Sequence, residues 1–250
     1  MQAVPAAPDQ SAKLVAADVT HAFGGVRALD GVIFWVPEGG AVGLIGQNGS
    51  GKTTLLNVLA GQIRPQAGHI ILDGREMTGA SAEEFARVGI GRVFQSVQVF
   101  PHLTLLENLV AAQMGRGGGA HGDAAAARRI LERMGLGAEA PQWACDVSYG
   151  HQRLLEIAMA LAADTEIILL DEPTAGLGPA MLERIIPLLR EVNAAGTALV
   201  LIEHETDIVF SVCDTVWVIN EGKMIARGSP EAIRSDPQVL ELYLGETEPC

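Results

Sequence analysis

Residues 46–53 read GQNGSGKT, a complete G-x-x-x-x-G-K-[ST] string, and Lys52 within it is one of only three lysines in 250 residues. The spacing has a mechanical reason. Three glycines let the backbone turn tightly enough for successive N–H groups to face polyphosphate oxygens, with no Cβ in the way. Lys52 then reaches the β- and γ-phosphates, and the Thr53 hydroxyl is suited to a Mg²⁺ ion that bridges phosphate oxygens. The flanks agree. AVGLI, Ala41–Ile45, is a short apolar run that predicts a buried strand, and residues 53–59 predict a helix stopped at Gly61. Strand, glycine loop and helix in that order aim a helix N-terminus at an anion.

Around this string the bulk composition sets limits. A hydrophobic content of 48% is ample for a core, in one large domain or two small ones. The cysteines Cys145, Cys213 and Cys250 are odd in number and form no C-x-x-C pair, which fits a reducing compartment better than a disulfide framework or a zinc site. A net charge of −13 opposes nucleic acid, whose binding rests on Lys and Arg neutralising phosphates. No apolar stretch approaches the ~18 residues of a membrane span, and the N-terminus has neither a basic start nor a hydrophobic segment of signal type. Residues 1–12 are expected to be a disordered tail, and any membrane association must come through a partner.

Upstream of the loop, residues 14–20 and 31–36 predict strands, the second followed by a turn at Pro37-Glu38-Gly39-Gly40. Downstream, residues 69–72 form a strand ending in an Asp73-Gly74 turn, and Ser81 with Glu84 makes a capping box for a helix toward Val88. Residues 92–94 read as a strand end. Residues 105–114 are helical, a glycine-rich loop occupies 115–122, and Asp123 caps a helix over 124–134 that Gly135 stops. No strand is expected from about 101 to 163, so a helical insertion is placed at about 96–163 within an α/β core. Residues 166–170 and 198–202 are continuous and apolar, as strands covered on both faces of a parallel sheet would be. Residues 215–220 and 223–227 flank a Glu221-Gly222 turn as a hairpin, and Ser229-Pro230 and Asp236-Pro237 open two short helices. The folded part is expected over 13–245, with 246–250 as a tail.

Asp171 and Glu172 directly follow one of these apolar strands, at the C-terminal end where open α/β sheets place ligands. Asp171 is suited to hold Mg²⁺ through water, and Glu172 to orient or deprotonate the water attacking a γ-phosphate. An exposed Asp-Glu-Pro turn is the plainer reading of that tripeptide alone. The glycine loop upstream favours the chemical one.

The ordered set GQNGSGKT, Phe94-Gln95, Val147-Ser148-Tyr149-Gly150-His151-Gln152, Ile168-Leu169-Leu170-Asp171-Glu172-Pro173, Ala175-Gly176-Leu177 and Ile202-Glu203-His204 resembles the ATP-binding subunits of ABC transporters. The resemblance covers residues 14–245. The Ser-Tyr-Gly signature, the Ala-Gly-Leu segment, the Leu-Ile-Glu-His string and the Leu-Tyr-Leu-Gly-Glu terminus are most similar to the branched-chain amino acid importer branch. It implies an α/β fold of the P-loop NTPase type: a mixed, mainly parallel sheet, a small antiparallel β subdomain and an inserted helical subdomain. ATP and Mg²⁺ are the implied cofactors.

By that resemblance the ATP contacts are Phe23 against adenine, then Gly46, Asn48, Gly49, Ser50, Gly51, Lys52, Thr53 and Thr54, with Ser148, Tyr149, Gly150 and His151 from the signature. The metal would be held by Thr53, Gln95 and Asp171, and the chemistry carried by Glu172, His204 and Gln95. Taken by themselves, Phe23 reads as core, Gln95 as a polar strand end, and His204 equally as a γ-phosphate contact or a packed histidine. Residue 208 is isoleucine, so no H-E-x-x-H zinc motif exists. Ser148 and the Gly150 N–H open a helix and so present a hydroxyl, an amide and a dipole. The resemblance turns this helix end toward the glycine loop of a second subunit, so that each site is completed by dimerisation.

Three positions depart from the family pattern. His151 stands where glutamine is usual and puts a larger imidazole among the signature contacts. Val147 replaces leucine. Gly178 stands where the family's D-loop carries Asp or Asn, so the helix from Pro179 lacks a side-chain cap. The expected role is the motor subunit of an importer on the cytoplasmic face of the inner or plasma membrane. Its partners would be transmembrane permease subunits, a second ATPase subunit, identical or related, and indirectly a periplasmic or extracellular solute-binding protein. Coupling is expected near residues 95–100, where SVQVF exposes apolar side chains, unless Val and Phe tuck inward. Rival readings are a urea or amide importer, a lipopolysaccharide-type exporter, a catalytically silent subunit, and a nucleic-acid-linked ATPase, the last opposed by the charge.

Overall fold

A computed structural model of the protein describes residues 12–115 and 122–244. The chain opens with a long antiparallel hairpin, β1 (Ala12–Phe23) and β2 (Val26–Pro37), so Ala12, expected in a tail, is already paired in a strand. Both strands outrun the sequence expectation because Gly24, at φ 58, lets the chain reverse between Phe23 and Val26, and ladder bonds then hold polar residues that have no strand preference of their own. β3 (Ala41–Ile45) and α1 (Lys52–Leu59) flank the glycine loop as expected. β4 (Ala67–Leu72) and β5 (Arg75–Glu76) turn on Asp73-Gly74, both at positive φ.

α2 (Ala82–Arg87) begins in the Ser81/Glu84 capping box, and β6 (Ile90–Val93) follows it. α3 (Leu105–Met114) has its own capping box from Thr104 and Glu107, and Asp123 caps α4 (Ala124–Arg133). Most of the glycine-rich loop expected at 115–122 lies outside the described residues, as do 1–11 and 245–250. α5 (Tyr149–Ala162) leads to β7 (Ile167–Asp171), α6 (Pro179–Ala194) and β8 (Ala198–Ile202). The short α7 (Thr206–Val212) had no clear sequence signal, since its N-terminus carries no side-chain cap. β9 (Thr215–Asn220) and β10 (Lys223–Gly228) form the expected hairpin, and α8 (Pro230–Arg234) and α9 (Pro237–Leu244) end the described chain.

Two sheets result. The first is antiparallel, in the order β2-β1-β4-β5. The second runs β10-β9-β3-β8-β7-β6, parallel except for the β9–β10 hairpin. Its central strands are buried on both faces, and alternate residues feed different cores. Ile168, Leu170, Leu199 and Leu201 face a core shared with α3 to α8, while Ile167, Leu169, Val200 and Ile202 face one shared with α1, β1 and β2. That two-sided burial is why these stretches read as unbroken apolar runs. It also fixes register, because a slip of one residue would exchange the two cores. The C-terminal ends of β3, β7 and β8 therefore lie side by side, and the glycine loop, Asp171-Glu172 and Glu203-His204 leave the sheet at one edge.

Candidate functional site

The glycine loop is shaped by contacts that only glycine permits. A Cβ on Gly46 would lie 2.1 Å from the Ile219 carbonyl oxygen, and one on Gly51 would lie 2.3 Å from the Ala28 carbonyl oxygen. Gly51 also takes φ 111 as the N-cap of α1, and no side chain caps that helix end. Its first N–H groups are thus left for an external acceptor. Lys52 folds back over the loop, donating from Nζ to the carbonyls of Gly46 at 2.7 Å and Gln47 at 2.8 Å. An ammonium has three donors, so one remains to reach an anion. Burial lowers the Lys52 pKa, opposed by the nearby Glu172 and Asp171 carboxylates.

The buried Ser50 Oγ has no hydrogen-bond partner among the described residues. An orphaned hydroxyl, a helix end without a cap and a loop packed too tightly for a Cβ at Gly46 or Gly51 fit a polyphosphate. Thr53 is exposed on the first turn of α1, and the Asp171 carboxylate is near enough to Lys52, the residue before Thr53, to act on its charge, so hard oxygen donors of the kind Mg²⁺ requires are present. A single cleft is lined by Asn48, Gly49, Gly51, Lys52, Thr53 and Thr54 on the loop side and by Glu172 and His204 on the other.

Glu172 is the centre of this constellation. It leaves β7 at φ 49, in the left-handed region that bulky residues avoid, and its N–H donates to the Ile202 carbonyl at 2.9 Å. Strained backbone of this kind persists where the surroundings over-determine it, and such spots cluster in functional sites. Gln95 Nε2 donates to Glu172 Oε2 at 2.8 Å, and His204 Nε2 lies 2.8 Å from Glu172 Oε1. Glu172 therefore touches both of the other residues named for catalysis from sequence, with the glutamate mostly buried and the histidine half-exposed.

Asp171 has a partner that sequence reading did not anticipate. Arg92, on β6, donates from Nη2 to Asp171 Oδ2 at 2.9 Å. Burial pushes the Asp171 pKa up, and Arg92 pulls it back. Burial also lowers the Arg92 pKa. Two further pairings were missed. Glu203 Oε1 accepts from both the N–H and the hydroxyl of Thr174, at 2.8 and 2.7 Å, and Gln47 Nε2 donates to the Leu242 carbonyl of α9 at 3.0 Å. Arg92 and Glu203 carried one available signal: one is a charged residue within a strand and the other directly follows an apolar strand, positions that demand a buried partner.

The signature residues stand apart from that cleft. Ser148 is the N-cap of α5, its Oγ accepting from the His151 N–H at 3.3 Å, and Ser148 and Tyr149 are exposed. Gly150 abuts α6, where a Cβ would meet Met181 Cε at 2.6 Å. None of Ser148, Tyr149, Gly150 or His151 lines the glycine-loop cleft. Phe23 is not in its lining either; it sits at the end of β1, 53% exposed, edge-on to His21 with ring centres 4.7 Å apart. Gly178 is the N-cap of α6 with no side-chain hydrogen bond, as its identity requires.

Comparison with known proteins gives the family and the fold. A family model described as ABC transporter matches residues 29–175, and one described as branched-chain amino acid ATP-binding cassette transporter matches residues 223–249. The high-affinity branched-chain amino acid transport ATP-binding protein LivG of Salmonella typhimurium is 39% identical over 240 residues, 90% of this chain and 94% of that protein. A crystal structure of a nucleotide-free ATP-binding cassette from an ABC transporter superposes with a TM-score of 0.85 at 32% identity, covering 94% of this chain and 100% of that one. A dimeric ATP-binding cassette in a post-hydrolysis state, bound to ADP and Pi, superposes at 0.77 with 28% identity, over 87% of this chain and 98% of that one. With over half its length under the family model and relatives aligned along nearly all of it, this chain belongs to the ATP-binding subunits of ABC transporters and is an ATPase.

Proposed function

We propose that the chain is the motor of a branched-chain amino acid importer, closing as an ATP-bound dimer at the cytoplasmic face of the membrane to drive alternating access in permease subunits. The observation that carries this is a separation within one chain. Glu172, Gln95 and His204 gather at the glycine loop, whereas the Ser148 end of α5 opens on a different surface with its hydroxyl and dipole exposed. A phosphate held by one chain's loop would complete its contacts with the Ser148 end of a second copy. The solute class is supported by the likeness to LivG and by the match over residues 223–249. A solute-binding protein on the far side would deliver the substrate to the permease.

In the hydrolytic step a water oxygen bonds to the γ-phosphorus as the bond to the bridging oxygen breaks, releasing ADP and phosphate. Glu172 accepts the water's proton. Gln95 and His204, each 2.8 Å from one Glu172 oxygen, hold the carboxylate in line and contact the water and γ-phosphate. Lys52 neutralises phosphate charge over the loop. Mg²⁺ held by Thr53, Asp171 and Gln95 would supply further charge neutralisation on the phosphate oxygens.

Among the described residues no helix is long and apolar enough to cross a membrane, so attachment runs through the partner. A largely apolar groove of about 310 Å³ lies between β6, the segment after it, and α5, with Phe94, Gln98, Met159 and Ala160 in its wall. It adjoins Gln95, and a permease segment seated there would reach the hydrolytic centre within one residue.

The test uses two variants. Glu172→Gln should accumulate an ATP-dependent dimer on light scattering, with turnover cut by about 10²–10⁴-fold. Ser148→Arg in that background should abolish the dimer and leave nucleotide binding by single chains intact. Loss of nucleotide binding in Ser148→Arg would refute the two-subunit site, and reconstituted transporter whose turnover ignores leucine-loaded binding protein would refute the solute.

A further inference from the structure

α5 carries two charged residues on the face turned inward. Arg153 and Glu156, one helical turn apart, have side-chain exposures of 0% and 4% and pair at 2.8 Å. A pair of apolar side chains would fill such a site at no desolvation cost, so a buried ion pair is weak evidence for stability and invites another explanation. The partners of these two residues supply one, because they lie almost wholly in the segment that follows β6.

Arg153 donates from Nη1 to the Phe94 carbonyl and from Nη2 to the Gln95 carbonyl, the latter at 2.5 Å. Glu156 Oε1 accepts from the N–H groups of Phe94 at 3.1 Å and Gln98 at 3.3 Å. This segment lies beyond the last ladder residue of β6, so its backbone groups need side-chain partners, and this single pair provides them. Arg153 Nη2 also donates to the Tyr149 hydroxyl at 3.2 Å, next to Ser148. Gln95 meanwhile donates from its side chain to Glu172. A continuous hydrogen-bonded path thus runs from the exposed start of α5, through the Arg153 fork and the Gln95 backbone, to the carboxylate in the cleft.

We infer that Arg153 and Glu156 are positioning residues that clasp the Gln95 segment to α5, so that displacement of the Ser148 end moves Gln95 relative to Glu172. The inference rests on the proposed reading in which a second subunit engages Ser148. Arginine suits the task because its planar fork serves two carbonyls, the tyrosine and the glutamate at once. The clasp makes the general base in one cleft responsive to occupancy at the other end of the same chain, which is the communication a two-site dimer needs.

The experiment compares full-length wild type with Arg153→Lys and with the doubly apolar variant Arg153→Met/Glu156→Leu. Lysine keeps the charge opposite Glu156 but lacks the planar fork whose separate nitrogens serve the two carbonyls, Tyr149 and Glu156 at once. Arg153→Lys should lower kcat on the order of ten- to a hundredfold, with KM for ATP and single-chain nucleotide affinity within about twofold of wild type. In the double variant, amide hydrogen exchange at Phe94 and Gln98 should quicken while the circular dichroism spectrum stays native. An Arg153→Lys kcat within about twofold of wild type, or unchanged exchange at both amides in the double variant, overturns the clasp. Wild-type specific turnover that does not depend on chain concentration overturns the two-subunit reading separately. A concentration-dependent wild type beside an unaffected Arg153→Lys overturns the clasp alone.

Discussion

Arg92 and Asp171 meet at 2.9 Å where only 7% and 5% of their side chains are exposed, so the carboxylate assigned to the metal is already balanced by a fixed positive charge. Two Arg92 nitrogens, Nε and Nη1, have no hydrogen-bond partner among the described residues. The Phe94 ring lies 5.1 Å from the guanidinium and takes up part of that charge. Removing the cation leaves an uncompensated buried carboxylate. Arg92→Met should therefore destabilise the fold by about 3–5 kcal/mol in urea denaturation, and Arg92→Met/Asp171→Asn should recover most of that loss. Equal stability of the single variant and wild type would mean that the pair does not act as a buried unit.

Lys52 spends two of its donors on the loop carbonyls of Gly46 and Gln47. Hydrogen bonds to a charged group are worth about 1.5–3 kcal/mol, so Lys52→Ala should weaken ATP binding by roughly ten- to a hundredfold. Titration with a fluorescent nucleotide reads this directly. Wild-type affinity in the variant would remove Lys52 from the phosphate cradle.

Glu203 is buried against Thr174, and burial raises its pKa above the ordinary 4.5 despite the two hydrogen bonds it accepts. The folded state then holds the proton more tightly than the unfolded chain does. This group favours folding at pH below 4.5 and subtracts stability as pH rises through the raised value. Glu203→Gln keeps an acceptor for Thr174 and removes the charge. Its stability relative to wild type should be greater near neutral pH than in mild acid, as measured by denaturant midpoints at both. The opposite trend would show that the charged form is the favoured one.

Gly178 caps α6 at φ −78 and ψ 163, an extended conformation open to any residue, and nothing lies within 4 Å of where its Cβ would stand. Gly178→Asp would supply the missing side-chain acceptor at the helix start. Because glycine is itself a tolerable cap, the gain should be only a few tenths of a kcal/mol, seen as a small rise in Tm. A loss of stability would point to a clash at the turn before Pro179.

What the sequence determined by itself is everything that short-range physics writes into neighbouring residues. The glycine loop follows from the need for close backbone approach, and β3 and β8 were delimited to the residue because two-sided burial demands unbroken apolar runs. Ser81, Asp123 and Ser148 sit where side-chain caps start helices. Hairpin lengths in β1 and β2 were underestimated, since pairing between strands overrides the weak preferences of their polar residues. Partnerships between charged groups were decided only by the tertiary structure. Arg92 and Asp171 are 79 residues apart, and Gln95 and Glu172 are 77 apart. Each could have paired with many others, and no spacing rule links them. Only when β6, β7 and β8 lie side by side, with α5 packed beside them, does a low-dielectric interior force each buried charge to accept the one partner within reach.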